Sequence, residues 1–347
     1  MRRGRNVRKG VPVASSASSR AGVVRITDVA ALAGVSPGTA SKALNDTGQL
    51  RSETRERVRR AAEQLGFTPD GRARALSSGR SYTVGLVTTD SSGRFSIPIM
   101  LGAEDALSAG EMALLLCDTR DDPLREQHYV RTLLARRVDG IIVTGRRTEP
   151  RPPIDVPIPV VYAFSSSTDP ADASVVVDDR GGATAAVGHL LDIGRTAIAH
   201  VTGPQRHRSA VQRASAAVDA AGEAFRGPPL YGEWSERWGR HAVDLLMRAH
   251  PDLDAISCGS DQIARGVCER LRELGRRIPE DVAVTGYDNW DVMALASRPP
   301  LTTVDLELEE LGRHAARLLL DAVAGRAHRG TVELPARLVV RASTLPD

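Results

Sequence analysis

A chain of 347 residues, 41% hydrophobic and 26% charged, has room for roughly two to three domains with buried cores. Its longest apolar run, MALLLC at 112–117, falls well short of the ~18 residues a membrane helix needs and predicts a buried strand, so no membrane partner is expected. The net charge of +3 is unevenly spread: residues 1–80 carry 16 Lys/Arg against 6 Asp/Glu, and residues 81–347 carry 30 against 37. A basic front on a mildly acidic body predicts that only the front meets a polyanion.

The chain opens with MRRGRNVRKGVPVASSASS, basic like a secretory leader but without its apolar middle, which predicts a cytoplasmic protein. Residues 1–22 show no hydrophobic periodicity and read as a disordered extension. Three short helical patterns occupy residues 23–68. Thr27 stands as a candidate N-cap ahead of DVAALA, and Gly34 ends that helix. Ser36 precedes Pro37, whose missing N–H is harmless at a first helical position, and the second helix runs to Asn45. The third, ETRERVRRAAEQLG with Ser52 as candidate cap, sets Val58, Ala61, Ala62 and Leu65 on one stripe. Two short helices across a Gly-containing turn, the second exposed and basic, predict a helix-turn-helix. An ordinary three-helix bundle shows the same periodicity; the local charge favours DNA. Residues 69–80, TPDGRARALSSGR in their wider setting, offer a slim apolar edge of Ala73, Ala75 and Leu76. So short a helix is marginal in water, so this stretch reads either as a plain linker or as a hinge that turns helical only on DNA.

From residue 81 the pattern becomes strands alternating with helices: YTVGLVTT, MALLLCDT, DGIIVTG, IPVVYAF, SVVVDD, TAIAHVTG, PPLYGEW, DAISCGSD, DVAVTGYD and LTTVDL. Near-continuous apolar runs predict parallel sheets buried on both faces, and the restart after about residue 178 predicts two similar α/β lobes. Ligands of such sheets bind beyond the strands' C-terminal ends, here the cleft between the lobes. Asp90, Asp178, Asp179, Arg213, Trp234, Ser260, Asp261 and Asp288 sit at such ends. Each alone has an ordinary explanation as a cap, a core aromatic or a surface charge; together they suit a polar, hydroxyl-bearing small molecule. The three cysteines, Cys117, Cys258 and Cys268, have neither CxxC nor paired-histidine spacing and read as buried free thiols in a reducing compartment. There is no GxSxG, HExxH, GxxxxGK[ST] or GxGxxG after a strand, so no catalysis, metal or cofactor is expected.

ITDVAALAGVSPGTASKALN followed by SETRERVRRAAEQLGFTPDGRARAL resembles the DNA-binding headpiece and hinge of the LacI/GalR family of bacterial regulators, and the likeness extends through VVVDDRGGATAAVGHL, SDQIARG, IPEDVAVTGYDN and RPPLTTVDLELEELGRHAARLLL. The resemblance implies an all-α headpiece joined to a bilobal body of two doubly wound parallel-sheet lobes, like a periplasmic binding protein. It implies a dimeric repressor on a pseudo-palindromic double-stranded operator, controlled by a sugar or related small effector and working at the nucleoid. By position in the family's motifs, Pro37 and Gly38 stand where bases are read, leaving Lys42 as the main side-chain reader. Thr39, Ser41 and Asn45 fall to phosphate contacts, Thr27 and Ser36 count among the DNA-binding residues, and Arg72, Ala73 and Leu76 belong to the hinge, with Leu76 wedged into the minor groove. The effector residues carried over are Asp90, Ser209, Arg213, Trp234, Ser260, Asp288 and Leu308. Ser260 stands where asparagine is frequent and Leu308 where an aromatic often stacks; the loop SSGRFSIPIM at 91–100 is atypical. A secreted solute-binding protein would share the body, but it predicts a leader and no headpiece.

Overall fold

Apolar residues at helical spacing build the first of two units into which the chain divides, Met1–Gly79 and Arg80–Asp347. The computed structural model describes residues 24–45, 47–67 and 80–345. In the first unit, α1 (Ile26–Ala33), α2 (Pro37–Leu44) and α3 (Ser52–Leu65) close around Val29, Ala30, Ala33, Ala40, Ala43, Val58, Ala61 and Ala62. Six of those eight positions are alanine, so the helices approach closely and the core is small. Ser36 caps α2 as expected, accepting from the Thr39 amide at 3.1 Å. Thr27 does not cap α1. The helix starts one residue before it because the Asp28 carboxylate turns back to accept the Arg25 N–H at 2.8 Å, which puts Thr27 inside the first turn. Ser52 is likewise the first helical residue of α3, and the Arg51 carbonyl takes the first amide bonds. The expected extension 1–22, residues 69–79 of the hinge, and with them Arg72, Ala73 and Leu76, lie outside the described residues.

The second unit contains two sheets. Strands β1 (Thr83–Thr88), β2 (Ala113–Asp118), β3 (Gly140–Thr144), β4 (Val160–Ala163), β5 (Ala173–Val177) and β11 (Gly330–Leu334) form one, in the order β11-β5-β4-β3-β1-β2, all parallel. Strands β6 (Ile198–Thr202), β7 (Leu230–Tyr231), β8 (Ala255–Cys258), β9 (Ala283–Tyr287), β10 (Thr302–Asp305) and β12 (Arg337–Val339) form the other, β12-β10-β9-β8-β6-β7, with only β12 antiparallel. The two orders are the same pattern repeated, as the restart near residue 178 predicts. The chain passes between the sheets after β5, after β10, and between β11 and β12.

All ten expected strands are present; β11 and β12 were not expected. β11 is largely exposed along TVE at the sheet edge, so it lacks the apolar run by which a doubly covered strand is read. MALLLC also departs from expectation: β2 is an edge strand and Leu116 on it is exposed, because no described strand pairs with its outer side. Cys258 and Cys268 are buried, Cys117 on β2 only partly so, and all three are free thiols.

Helices pack both sheets: α4 (Ser96–Ser108), α5 (Pro123–Ala135) and α11 (Leu308–Val323) belong to the first lobe; α6 (Asp179–Asp192), α7 (Arg208–Ala221), α8 (Glu236–Ala249), α9 (Asp261–Glu273) and the short α10 (Asp291–Ala294) to the second. Each lobe has one pair of helices crossing backbone to backbone. A Cβ on Gly102 or Gly312 would collide with the main chain of the facing helix, α11 or α4, and one on Gly239 or Gly266 would do the same between α8 and α9. Among the described residues no helix is long and apolar enough to cross a membrane.

Candidate functional site

In the first unit the exposed face runs from Ser36 to Asn45. Pro37 and Gly38 leave the first turn of α2 bare: among the described residues, and leaving aside the helix's own backbone and the chain neighbours, a Cβ built on Gly38 would meet only Ser36 Oγ within 4 Å, at 3.9 Å. Pro37 carries no N–H and the Thr39 amide is taken by Ser36 Oγ, which leaves the Gly38 amide to face an anion of the kind a helix N-terminus attracts. The hydroxyls nearby are partly occupied with one another, Ser36 Oγ lying 2.9 Å from Thr39 Oγ1 and Asn45 Nδ2 donating to Ser41 Oγ at 3.4 Å. Lys42 is exposed, and its aliphatic stem lies against Gly48, where a Cβ would stand 3.3 Å from Lys42 Cδ. Gly48 has φ +72°, a conformation glycine adopts without strain, so the turn before α3 braces the lysine. Two arginines of α3 are struts: Arg55 donates to the Gly48 carbonyl and Arg57 to the Ala33 carbonyl, each at 2.9 Å. Less of the front's positive charge is free for DNA than its arginine count suggests. Thr27 is exposed in the first turn of α1.

In the second unit a cleft of about 380 Å³ opens between the lobes at the C-terminal ends of β1, β3, β4, β6, β8 and β9. Asp90, Ser209, Arg213, Trp234, Ser260 and Asp288 all line it. Leu308 does not; it sits in an adjoining pocket with Arg94, Asp288 and Trp290, because α11 starts on the first lobe beside α4.

Arg213 on α7 is the hub. It is 4% exposed, donates through Nε to Asp179 Oδ1 at 2.8 Å and through Nη1 to the Gly259 carbonyl at 2.7 Å, and reaches Asp288 Oδ1 at 3.4 Å. Its guanidinium lies 3.7 Å from the centre of the Tyr287 ring, a cation–π contact. Burial works to lower its pKa, but Asp179, Tyr287 and Asp288 more than reverse that, and it stays charged. Asp288 follows β9 with φ 101°, a backbone strain that aims its carboxylate between two arginines. Its pKa is raised, by burial first, against the opposing pull of Arg94 and Arg213.

Arg94 comes from the atypical loop of the first lobe and crosses the cleft. It pairs with Asp288, donates to Gln262 Oε1 at 3.3 Å and stacks over Trp290 at 4.5 Å and Phe95 at 5.0 Å. Phe95 in turn stacks on Phe164, ring centres 4.9 Å apart, and both line the cleft with Trp234. Trp234 donates its indole N–H to His207 Nδ1 at 2.8 Å. That bond requires a neutral imidazole, and the His207 pKa is lowered, by burial first, with Glu149 pulling it up and Arg206, Arg147 and Arg146 pushing it down.

Several residues read as ligand contacts also have structural duties. The Asp90 carboxylate accepts from Ser92 Oγ and from the Phe95 and Ser96 amides at 2.6–3.0 Å, so it secures the start of α4. Burial pushes its pKa up, but those hydrogen bonds bring it net below the usual value. Ser260, not Asp261, caps α9, accepting from the Ile263 amide at 3.3 Å. Asp261 instead ties Thr303 Oγ1 at 2.5 Å and the Trp290 amide at 2.7 Å, and burial, with Asp288 nearby, pushes it up to about 7. Asp178 caps α6 through the Gly181 amide at 2.7 Å, leaving Asp179 to hold Arg213. Sequence reasoning missed Arg94, Phe95, Phe164, His207 and Tyr287. Only the unusual stretch 91–100 signalled any of them.

The model for bacterial regulatory proteins of the lacI family matches residues 25–70, and that for a periplasmic binding protein-like domain matches residues 187–344. The HTH-type transcriptional regulator CelR of Thermobifida fusca is 35% identical over 326 residues, covering 90% of this chain and 94% of that protein. Among solved structures, the lac repressor dimer bound to operator and the anti-inducer ONPF aligns with a TM-score of 0.72 at 27% identity, over 93% of this chain and 99% of that one. A CelR–cellobiose complex aligns with a TM-score of 0.63 at 30% identity, over 92% and 99%.

Proposed function

The chain belongs to the LacI family of bacterial regulatory proteins, and from that premise we propose how its parts divide the work. It is a DNA-binding transcriptional regulator whose operator affinity answers to a small effector, and not an enzyme. Residues 23–68 serve as the headpiece, 69–80 as the hinge, and 81–347 as the effector-binding and dimerising body. Like the lac repressor dimer it acts as a homodimer on a pseudo-palindromic operator, at the nucleoid of the cytoplasm, as a repressor. The effector is a small polar molecule of the sugar class, as cellobiose is for CelR.

On the operator, the α2 face gives Lys42 to the base edges and the bare first turn, with Thr39, Ser41 and Asn45, to phosphates. Lysine is a point charge and discriminates guanine less sharply than an arginine fork. Specificity therefore leans on the hinge residues Arg72, Ala73 and Leu76 and on half-site spacing. In the cleft, Arg213, Asp288 and Ser260 meet the effector's hydroxyls, and Trp234 and Ser209 flank it. An effector moves the operator equilibrium only if it favours one lobe arrangement over the other. Arg94 supplies such a difference, since an effector group at Asp288 competes with it.

The observation that carries this reading is the convergence of six sequence-separated residues on one cleft around the buried Arg213. The test begins by selecting DNA from a random-sequence pool with the full chain, then measuring affinity for the selected site across salt concentrations. The expected result is a symmetric site, bound with affinity that falls steeply as salt rises and weakens when Lys42→Ala is introduced. Affinity indifferent to salt, or no enriched site, overturns it.

A further inference from the structure

The cleft is not uniform in charge. Arg146 and Arg147, on the loop after β3, and Arg206, on the loop after β6, bring three exposed guanidinium groups from both lobes to its wall. The carboxylate nearest Arg146 and Arg147 is Asp121, at 3.7 and 3.6 Å with both sides of each pair about half exposed, and no described carboxylate lies within ion-pair distance of Arg206. Exposed pairs of that kind hold charge weakly, so the three cations remain available to a ligand. All three line the same cleft as His207, the residue before α7, and act on its charge. Glu149 lies at the same place, its Oε1 accepting the Arg208 amide from the opposite lobe at 2.8 Å while its Oε2, shielded from solvent, has no hydrogen-bond partner. The chain's own carboxylate thus stands among the arginines. Asp288 and Ser260, which line the same cleft with Trp234, offer the acceptor and hydroxyl that a polyol needs.

We propose that the effector is an anionic polyol: a phosphoryl or carboxylate group seated among Arg146, Arg147 and Arg206 in place of Glu149, with the hydroxylated portion reaching past Trp234 to Asp288. This rests on the cleft being the effector site. Three guanidinium groups on two lobes then do two things at once, recognising the charge and favouring the lobe arrangement in which they share it.

The experiment titrates inorganic phosphate, glucose, glucose 6-phosphate and glucuronate into the full chain, with calorimetry and tryptophan emission as readouts. Arg146→Ala/Arg147→Ala/Arg206→Ala removes the proposed seat, and Arg272→Ala/Arg276→Ala, on a separate basic surface, is the control. Phosphate is expected to bind the wild type and the control alike and to bind the triple variant about tenfold or more weakly, one to two charge-assisted contacts being lost in effect. Preference for glucose 6-phosphate over glucuronate, or the reverse, then tells phosphoryl from carboxylate. Absent phosphate binding, or binding equal in the triple variant, overturns the proposal. A neutral sugar that shifts operator affinity equally in wild type and triple variant overturns it while leaving the effector-controlled reading intact. Anion binding lost in the triple variant but without effect on the operator overturns that reading and leaves the anion seat standing.

Discussion

The two walls of the cleft are built on the same strand order, yet they hold their charges differently. On the second lobe, Arg213 is buried and held by Asp179, the Gly259 carbonyl, Asp288 and the Tyr287 ring, none of them able to turn away without breaking a strand end or a helix start. On the first lobe, the cations are carried by loops: Arg94 reaches across to partners on the other wall, and among the described residues Arg146 and Arg147 pair only with the loose, half-exposed Asp121. Duplicated topology places side chains at equivalent strand ends without dictating how firmly they are set. One wall is prepared before any ligand arrives; the other can exchange its partners, which is what a switch requires.

The largest test of that contrast is Arg213→Ala. It leaves Asp179 and part of Asp288 buried without a partner, and the body should lose about 3–5 kcal/mol of stability, the cost of breaking a buried pair from one side. Denaturant unfolding measures it; a loss under about 1 kcal/mol, the range of exposed ion pairs, would show that the prepared wall is not held by this residue. Arg94→Ala should cost far less, about 1–2 kcal/mol, because Asp288 keeps Arg213. The same variant should bind effector more tightly, since nothing then competes at Asp288. Weaker binding would make Arg94 part of the ligand's own contacts.

The most gradual effect concerns pH. The Asp261 carboxyl rises from 3.8 unfolded to about 7 in the folded body. A group whose folded pKa is raised gives stability that is complete below the unfolded value and is lost as pH climbs through the folded one. Stability should therefore fall between about pH 4 and 7, by at most about 1.4 kcal/mol per pH unit for this one proton. Asp261→Asn should flatten that slope, as read from unfolding midpoints across the range; an unchanged slope would assign it to other groups.

Much of the architecture could be read from the residues. Ten strands have near-continuous apolar runs because helices cover both faces of their sheets, and that leaves a plain mark in the chain. β11 carries no such mark, since Thr331, Val332 and Glu333 are exposed at an edge and only the partner strand β5 defines it. The helix starts at Thr27 and Ser52 shifted by one or two residues because capping was decided by Asp28 and by the Arg51 backbone, both equally eligible on paper. Six of the seven residues expected to meet an effector share the cleft because strand ends are fixed by topology. Leu308 sits elsewhere because the chain has already returned to the first lobe before it. Arg94 was illegible for a different reason: its partners lie 168 and 194 residues along the chain, and no local pattern encodes a contact made only when two lobes meet. Arg55 and Arg57 show the opposite error, charges that looked available to DNA but support the turn and α1.

The central claim is that what occupies the cleft sets the grip of the headpiece. Fluorescence anisotropy of the selected operator, titrated with full-length wild type and with Asp288→Asn in the presence and absence of saturating effector, measures it directly. The wild type should change operator affinity by about 5–150-fold with effector, the span of ordinary allosteric coupling, while Asp288→Asn binds the bare operator normally and ignores the ligand. An equal response in both proteins, or none in the wild type with its cleft filled, would contradict the claim.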